Sequence, residues 1–174
     1  MGKVKTCKNC SKEFTAYNTI QKYCVACAIE KGRAKTWKDK KAKMREELKT
    51  RSQKIQEARV IFQQYIRARD KDKPCISCGT TTATKWDAGH YLKAELYTGL
   101  IFDENNCHKQ CQRCNQYGGG MQIEYRIGLV ERIGEDKVKS LEVKKDALRV
   151  YRWSDYELGQ LKKKYAELKK KFGG

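Results

Sequence analysis

Eight of the nine cysteines in this chain fall into four C-x-x-C pairs, and that spacing limits the fold more than any other feature. Cys7/Cys10 and Cys24/Cys27 lie near the start, with Phe14, Tyr17, Ile20 and Tyr23 between them. Cys75/Cys78 and Cys111/Cys114 lie in the middle, separated by 32 residues. Thiolates with two residues between them, brought together pair by pair, are the usual shell of a structural zinc ion. Two structural Zn²⁺ sites are therefore expected, one from each set of four cysteines. Cys107 is left over.

So many cysteines would also suit a secreted disulfide scaffold. The paired spacing argues against that. So does the start MGKVKTCKNC, which lacks the apolar run of a signal peptide. A reducing cytoplasm is the expected setting. The same start fits the loose N-myristoylation pattern, although the first zinc cysteine follows almost at once. No stretch is long and apolar enough to span a membrane.

The net charge of +18 is spread unevenly. Residues 1–73 carry 21 Lys/Arg against 8 Asp/Glu, residues 74–120 carry 4 of each, and residues 121–174 carry 14 against 9. A neutral middle flanked by basic arms suits a polyanion, and nucleic acid is the expected partner. The plainer alternative is a lysine-rich, solvated surface.

Four regions follow. Residues 1–33 read as a zinc ribbon that needs its metal to fold, with Lys5, Lys8, Lys12 and Lys22 around it. Residues 34–73 lack Pro and Gly and read as a long basic helix, in one or two pieces. Its second half, with Val60, Ile61, Phe62, Tyr65 and Ile66, is apolar enough to dock. Residues 74–120 read as a core of two strands and a helix: Lys85 to Tyr91, Leu100 to Phe102, then a helix from Asn106 to Tyr117 capped by Asp103–Asn105. Residues 121–174 read as helices that follow a flexible break at Gly118–Gly120. The last helix opens with a Ser154/Glu157 capping box. The fold class is α+β, a zinc-stabilised ββα-metal core with an N-terminal zinc ribbon, a long basic helix before the core and helices after it.

His90 lies between the two middle pairs and is one of only two histidines. An imidazole takes up a proton near neutral pH, so His90 is a candidate general base. The runs DAGHY at 87–91, NCHKQC at 106–111 and CNQ at 114–116 resemble the HNH (His-Me finger) nucleases of the endonuclease VII type. They are more similar still to the NinG (Rap) recombination proteins of lambdoid phages, over roughly residues 55–170. The resemblance implies a metal-dependent phosphodiester hydrolase that cleaves branched DNA, Holliday junctions and D-loops, in a bacterial host's cytoplasm. It makes Asn106 the residue that orients the histidine's loop, and Asn115 a ligand of catalytic Mg²⁺ or Mn²⁺. Many relatives place Asp before the histidine as the second ligand, where this chain has Gly89. Asp87 shares a strand face with that position and is expected to serve instead. His108 is a further candidate for the metal or a phosphate. Lys85, Lys93, Lys109 and Arg113 are candidate phosphate contacts. A homodimer would place two such sites on two strands. The rival reading is a non-catalytic zinc module that binds DNA or a recombination partner. A third is an HNH restriction or homing enzyme.

Overall fold

The computed structural model describes residues 3–173; Met1 and Gly2, on which the myristoylation pattern rests, and Gly174 lie outside them. The chain divides into two compact units, one ending at Lys49 and the other starting at Thr50. The boundary expected at 33/34 falls inside a helix, and the expected basic arm is shared between the units.

In the first unit, β1 (Lys3–Thr6) and β2 (Glu13–Ala16) form an antiparallel hairpin with Lys3 opposite Ala16. The Cys7–Cys10 knuckle is the turn between them, closed by Cys7 N–H to Lys12 O at 2.9 Å. Cys24 is the N-cap of α1 (Val25–Glu47), and Cys27 sits in its first turn. Cys27 is the one buried side chain described in this helix. The rest of α1 is rich in Lys, Arg, Glu and Ala, which favour helix without needing a core.

The second unit opens with α2 (Arg51–Arg69), started by a Thr50/Gln53 capping box. That box explains the break after α1: Thr50 Oγ1 accepts from Gln53 N–H, and Gln53 Oε1 accepts from Thr50 N–H. Ala58, Phe62, Tyr65 and Ile66 of α2 pack against Leu158 and Tyr165 of α5 (Asp155–Lys171). Phe62 and Tyr165 meet edge to face with centroids 4.8 Å apart. Fully burying one such side chain is worth about 1.5–3 kcal/mol. The expected Ser154/Glu157 capping box starts α5.

Against α2 lies a two-stranded antiparallel sheet, β3 (Trp86–His90) and β4 (Cys107–Cys111), with His90 opposite Cys107 and Trp86 opposite Cys111. Ala88 and Cys107 join the α2/α5 core. A second core of Ile76, Tyr91, Leu100, Tyr125, Leu129, Val138 and Leu141 is formed with α3 (Gln122–Ile133) and α4 (Glu135–Lys144). Gly128 lets α3 lie against the Cys75–Cys78 turn; a Cβ there would stand 1.9 Å from the Ile76 carbonyl oxygen.

Four expectations are corrected here. Leu100–Phe102 is not the return strand but follows a 3₁₀ turn, Thr98–Leu100. Its carbonyls bond to side chains instead of a ladder: Leu100 O accepts from Asn106, Phe102 O accepts from Tyr165, and Ile101 O faces His90. The return strand is β4, placed where a helix was expected. All five of its residues are buried, and pairing with β3 overrides local helix preference. Helix remains only as a one-turn π-helix, Arg113–Tyr117. Asp103 shapes a turn by accepting from Asn105 N–H. The Gly118–Gly120 run is a tied turn, with Gly120 N–H donating to Cys114 O and Gly120 O accepting from Gln110.

Candidate metal centres and a histidine cavity

The four sulfurs of Cys7, Cys10, Cys24 and Cys27 lie within 4.8 Å of one another, and so do those of Cys75, Cys78, Cys111 and Cys114. Tetrahedral zinc with sulfur bonds of about 2.3 Å sets sulfur–sulfur separations of about 3.8 Å. Cys10 and Cys24 Sγ are 3.8 Å apart, as are Cys78 and Cys111 Sγ. Backbone N–H groups point at sulfur in both sets, Cys24 to Cys7 at 3.3 Å and Cys111 to Cys75 at 3.4 Å. The Cys24 N–H helps hold the Cys7 thiol down at about 6. These two clusters could each hold a zinc ion.

His90 ends β3. Its Nε2 lies 2.9 Å from the Ile101 carbonyl oxygen. A carbonyl only accepts, so Nε2 carries the proton and Nδ1 keeps the lone pair. Nδ1 faces the Cys107 sulfur at 3.8 Å. Burial holds the His90 pKa down to about 4, partly offset by the Ile101 carbonyl. The ring is therefore neutral at pH 7, as a general base requires. It lines a cavity of about 350 Å³ together with Asn115, Lys93, Arg59, Gln63 and Gln122.

Asn106 is fully buried. Its Oδ1 accepts from Leu92 N–H at 2.7 Å, and its Nδ2 donates to Leu92 O and Leu100 O. It thus clamps both ends of the loop that follows the histidine strand, which is positioning and not contact with a substrate. Asn115 Nδ2 donates to Asp87 Oδ2 at 3.0 Å, and Gln116 Nε2 donates to the same oxygen at 3.1 Å. Asp87 thus accepts from two amide nitrogens, and a divalent cation would need its carboxylate and the Asn115 Oδ1, the hard oxygens of this group. Asn115 lines the histidine cavity; Asp87 is not among its lining residues. At Gly89 a Cβ would fall 2.1 Å from Gln110 Oε1 and 3.2 Å from Asn115 Oδ1. Gln110 is fixed by donating to Ser77 Oγ and Gly120 O. The glutamine amide therefore occupies the space that an aspartate at 89 would need.

Other candidates part company with the cavity. His108, 3% exposed, has Nδ1 3.0 Å from Arg69 Nη2 and 3.4 Å from Asp70 Oδ2, with Nε2 facing Asn105 O. It belongs to a buried network around Asp70 and not to a metal or phosphate site. Lys109, 5% exposed, donates to Lys71 O at 2.7 Å and sits 4.3 Å from the Trp86 ring centroid. Its ammonium is committed to the core, so it is no phosphate contact. Lys85 and Arg113 are exposed but line a different cavity, of about 450 Å³, beside Cys78 and Cys111. Lys93 alone of the four cations opens onto His90.

Sequence reasoning passed over Arg59, Gln63 and Gln122. Arg59 and Gln63 stand one turn apart on α2, beside the buried Ala58/Phe62 stripe, and helical spacing could have located them. Arg59 Nη2 donates to Glu95 Oε1 at 3.1 Å. Among the described residues, Arg59 Nε, Gln122 Nε2 and Arg132 Nη1 are the buried side-chain nitrogens without a hydrogen-bond partner. Arg59 and Gln122 both line the histidine cavity, but these two nitrogens are themselves buried.

A family model described as "Bacteriophage Lambda NinG protein" matches residues 1–172. This match includes the ribbon and α1, which the sequence resemblance left out. "Protein ninG" of Salmonella phage P22 is 45% identical over 120 residues, covering 69% of this chain and 58% of that protein. "Protein ninG" of Escherichia phage 933W is 43% identical over 120 residues with the same shares. That of Escherichia phage lambda is 42% identical over 120 residues, covering 69% of this chain and 57% of the relative. The match thus spans little more than half the length of these relatives. No solved structure matches the chain. No helix among the described residues is long and apolar enough to cross a membrane.

Proposed function

The chain belongs to the NinG family, and from that premise we propose that it is a DNA endonuclease of phage recombination that hydrolyses phosphodiester bonds in branched DNA, Holliday junctions and D-loops. The observation that carries the reading is His90, a neutral imidazole with its Nδ1 lone pair free of the Ile101 contact, in a cavity lined by Lys93, the Arg59–Glu95 ion pair and Asn115. His90 takes the proton from an attacking water. Arg59 and Lys93 receive the phosphate oxygens, where guanidinium and ammonium donors suit the charge. The bond from phosphorus to the leaving oxygen then breaks, and that oxygen takes a proton from solvent. Asp87 and Asn115 are the residues that would hold Mg²⁺ or Mn²⁺. Such an ion, when bound, polarises the phosphate and steadies the leaving oxygen. Asn106 keeps the histidine loop in place throughout. A homodimer would present two such sites to two strands.

One observation favours the non-catalytic zinc module. Gly89 offers no side chain to the cavity, and Asp87 is not among its lining residues. That reading predicts binding of branched DNA without cleavage in any divalent metal. The distinguishing experiment is incubation of a labelled four-way junction beside linear duplex of the same sequence, in Mg²⁺ or Mn²⁺. The proposal expects the junction to be cut and the duplex spared. Binding without cutting in both metals sinks it, and sequence-specific cutting of the duplex favours a restriction or homing enzyme.

A further inference from the structure

We propose that the Tyr17–Ile20 loop of the zinc ribbon is a stacking platform for unpaired DNA bases. The inference rests on DNA being the partner, but on nothing in the catalytic mechanism. Three polar side chains fix the backbone of this loop. Lys5 Nζ donates to the carbonyls of Asn18, Thr19 and Gln21, at 3.4, 2.7 and 3.3 Å. Asn18 Oδ1 accepts from Ile20 N–H and Gln21 N–H at 3.0 and 2.9 Å. Gln21 Oε1 accepts from Tyr17 N–H at 2.8 Å. What this frame holds outward is a tyrosine ring 85% exposed and an isoleucine 80% exposed. Phe14 and Tyr23 of the same ribbon are half-buried, so the unit does tuck other aromatics in.

Charge identifies the occupant. Residues 1–49 carry 14 Lys/Arg against 5 Asp/Glu. Lys3 pairs with Ala16, the residue before Tyr17, and Lys22 follows Gln21. Both are exposed. Lys5 is committed to the loop carbonyls, so it orders the platform and is not one of the free cations around it. A flat ring and an aliphatic side chain, set among cations on a fixed frame, match a polyanion with open base faces. Closed duplex hides those faces inside its stack; gaps, branch points and single strands expose them. Base–aromatic stacking tolerates any sequence because every base has a π face. An anionic membrane would share the charge preference, but one tyrosine and one isoleucine offer little apolar area for insertion.

The test uses the full chain, zinc-loaded and carrying His90→Ala so that DNA stays intact. Tyr17→Ala with Ile20→Ala is compared with the unmodified loop by fluorescence anisotropy. The probes are a junction with a short single-stranded gap and a closed linear duplex. The double variant should lose about tenfold in affinity for the gapped junction and less than about twofold for the duplex. Tyr17→Phe should keep the affinity, since the ring remains, and two zinc ions per chain show that the ribbon is intact. Unchanged affinity for both probes, or an equal loss on both, overturns the platform while leaving DNA as the partner. No DNA binding at all, with binding to phosphatidylserine vesicles through the same two residues, overturns the platform and the DNA reading together.

Discussion

The Nε2 of His90 stands 2.9 Å from the carbonyl oxygen of Ile101, and this contact decides which ring nitrogen holds the lone pair. It also links the histidine to the segment Leu100–Phe102, whose carbonyls are each met by a side chain. Burial holds the folded pKa at about 4, below the ordinary value of about 6.5. Between those values the unfolded chain binds more protons, so this group's share of stability is fully present above pH 6.5 and falls towards pH 4. The same shift sets the pH profile of the proposed reaction. An ordinary histidine would be only about one quarter neutral at pH 6. With His90, single-turnover cleavage at pH 6 should remain within about twofold of that at pH 7.5. A loss of rate centred on pH 6.5 would show that the base is not this buried ring.

Gly89 is expected to resist even alanine. A Cβ would meet Gln110 Oε1 at 2.1 Å, and the glutamine cannot move without losing its bonds to Ser77 and Gly120. Gly89→Ala should cost about 1–3 kcal/mol, the range for leaving a buried polar group unpaired. Denaturant melts of Gly89→Ala, and of the same variant with Gln110→Ala, check this. The second change should restore part of the loss by vacating the space.

What could be read from the sequence follows from how local each signal is. The cysteine pairs and the Ser154/Glu157 capping box act within a few residues, and the structure forms both where the spacing puts them; the Thr50/Gln53 box, equally local, was not read. Asn106 and Asn115 were singled out by the resemblance alone, and the structure places the first at the loop after the histidine strand and the second at the histidine cavity. The strand at Cys107–Cys111 was not legible, because its state is decided by β3, a partner some 20 residues back. Lys109 and His108 looked like surface chemistry, since sequence does not reveal that Asp70 and Trp86 await them in the interior. Arg59 went unnoticed for the opposite reason: in a helix full of lysine and arginine, nothing local distinguishes the one that turns into a cavity.

Asp70 should be the costliest polar residue to alter. It is fully buried, with Arg69 Nη2 at 2.8 Å, Lys73 Nζ at 3.1 Å and the Lys109 N–H at 3.1 Å. Burial alone would raise its pKa, but contacts with His108 and Arg69 outweigh this and hold the carboxyl far below the usual range. Its contribution is therefore present above the ordinary carboxylate pKa and lost as pH falls below it. Asp70→Asn strands the Arg69 guanidinium and should destabilise residues 50–174 by roughly 3–5 kcal/mol. Thermal unfolding at pH 7 reads the loss, and a change under about 1 kcal/mol would mean that the network is incidental.

Metal content should separate the two units. Elemental analysis is expected to give two zinc ions per chain, one for each cysteine cluster. Cys24→Ser should lower this to one and leave the unfolding transition of residues 50–174 in place. Cys111→Ser should also leave one, but should abolish that transition, because Cys111 belongs to β4 as well as to the cluster. Two zinc ions retained in either variant would contradict the assignment.

The most direct test is cleavage of a labelled four-way junction in Mg²⁺ or Mn²⁺ by the wild-type chain and by His90→Ala, with binding of the same junction measured in parallel. The account predicts junction cutting by the wild type and at least about a hundredfold slower cutting by His90→Ala, with binding retained. Equal cutting by both would remove His90 as the base. Binding without cutting by both would leave a zinc module that holds branched DNA and does not hydrolyse it.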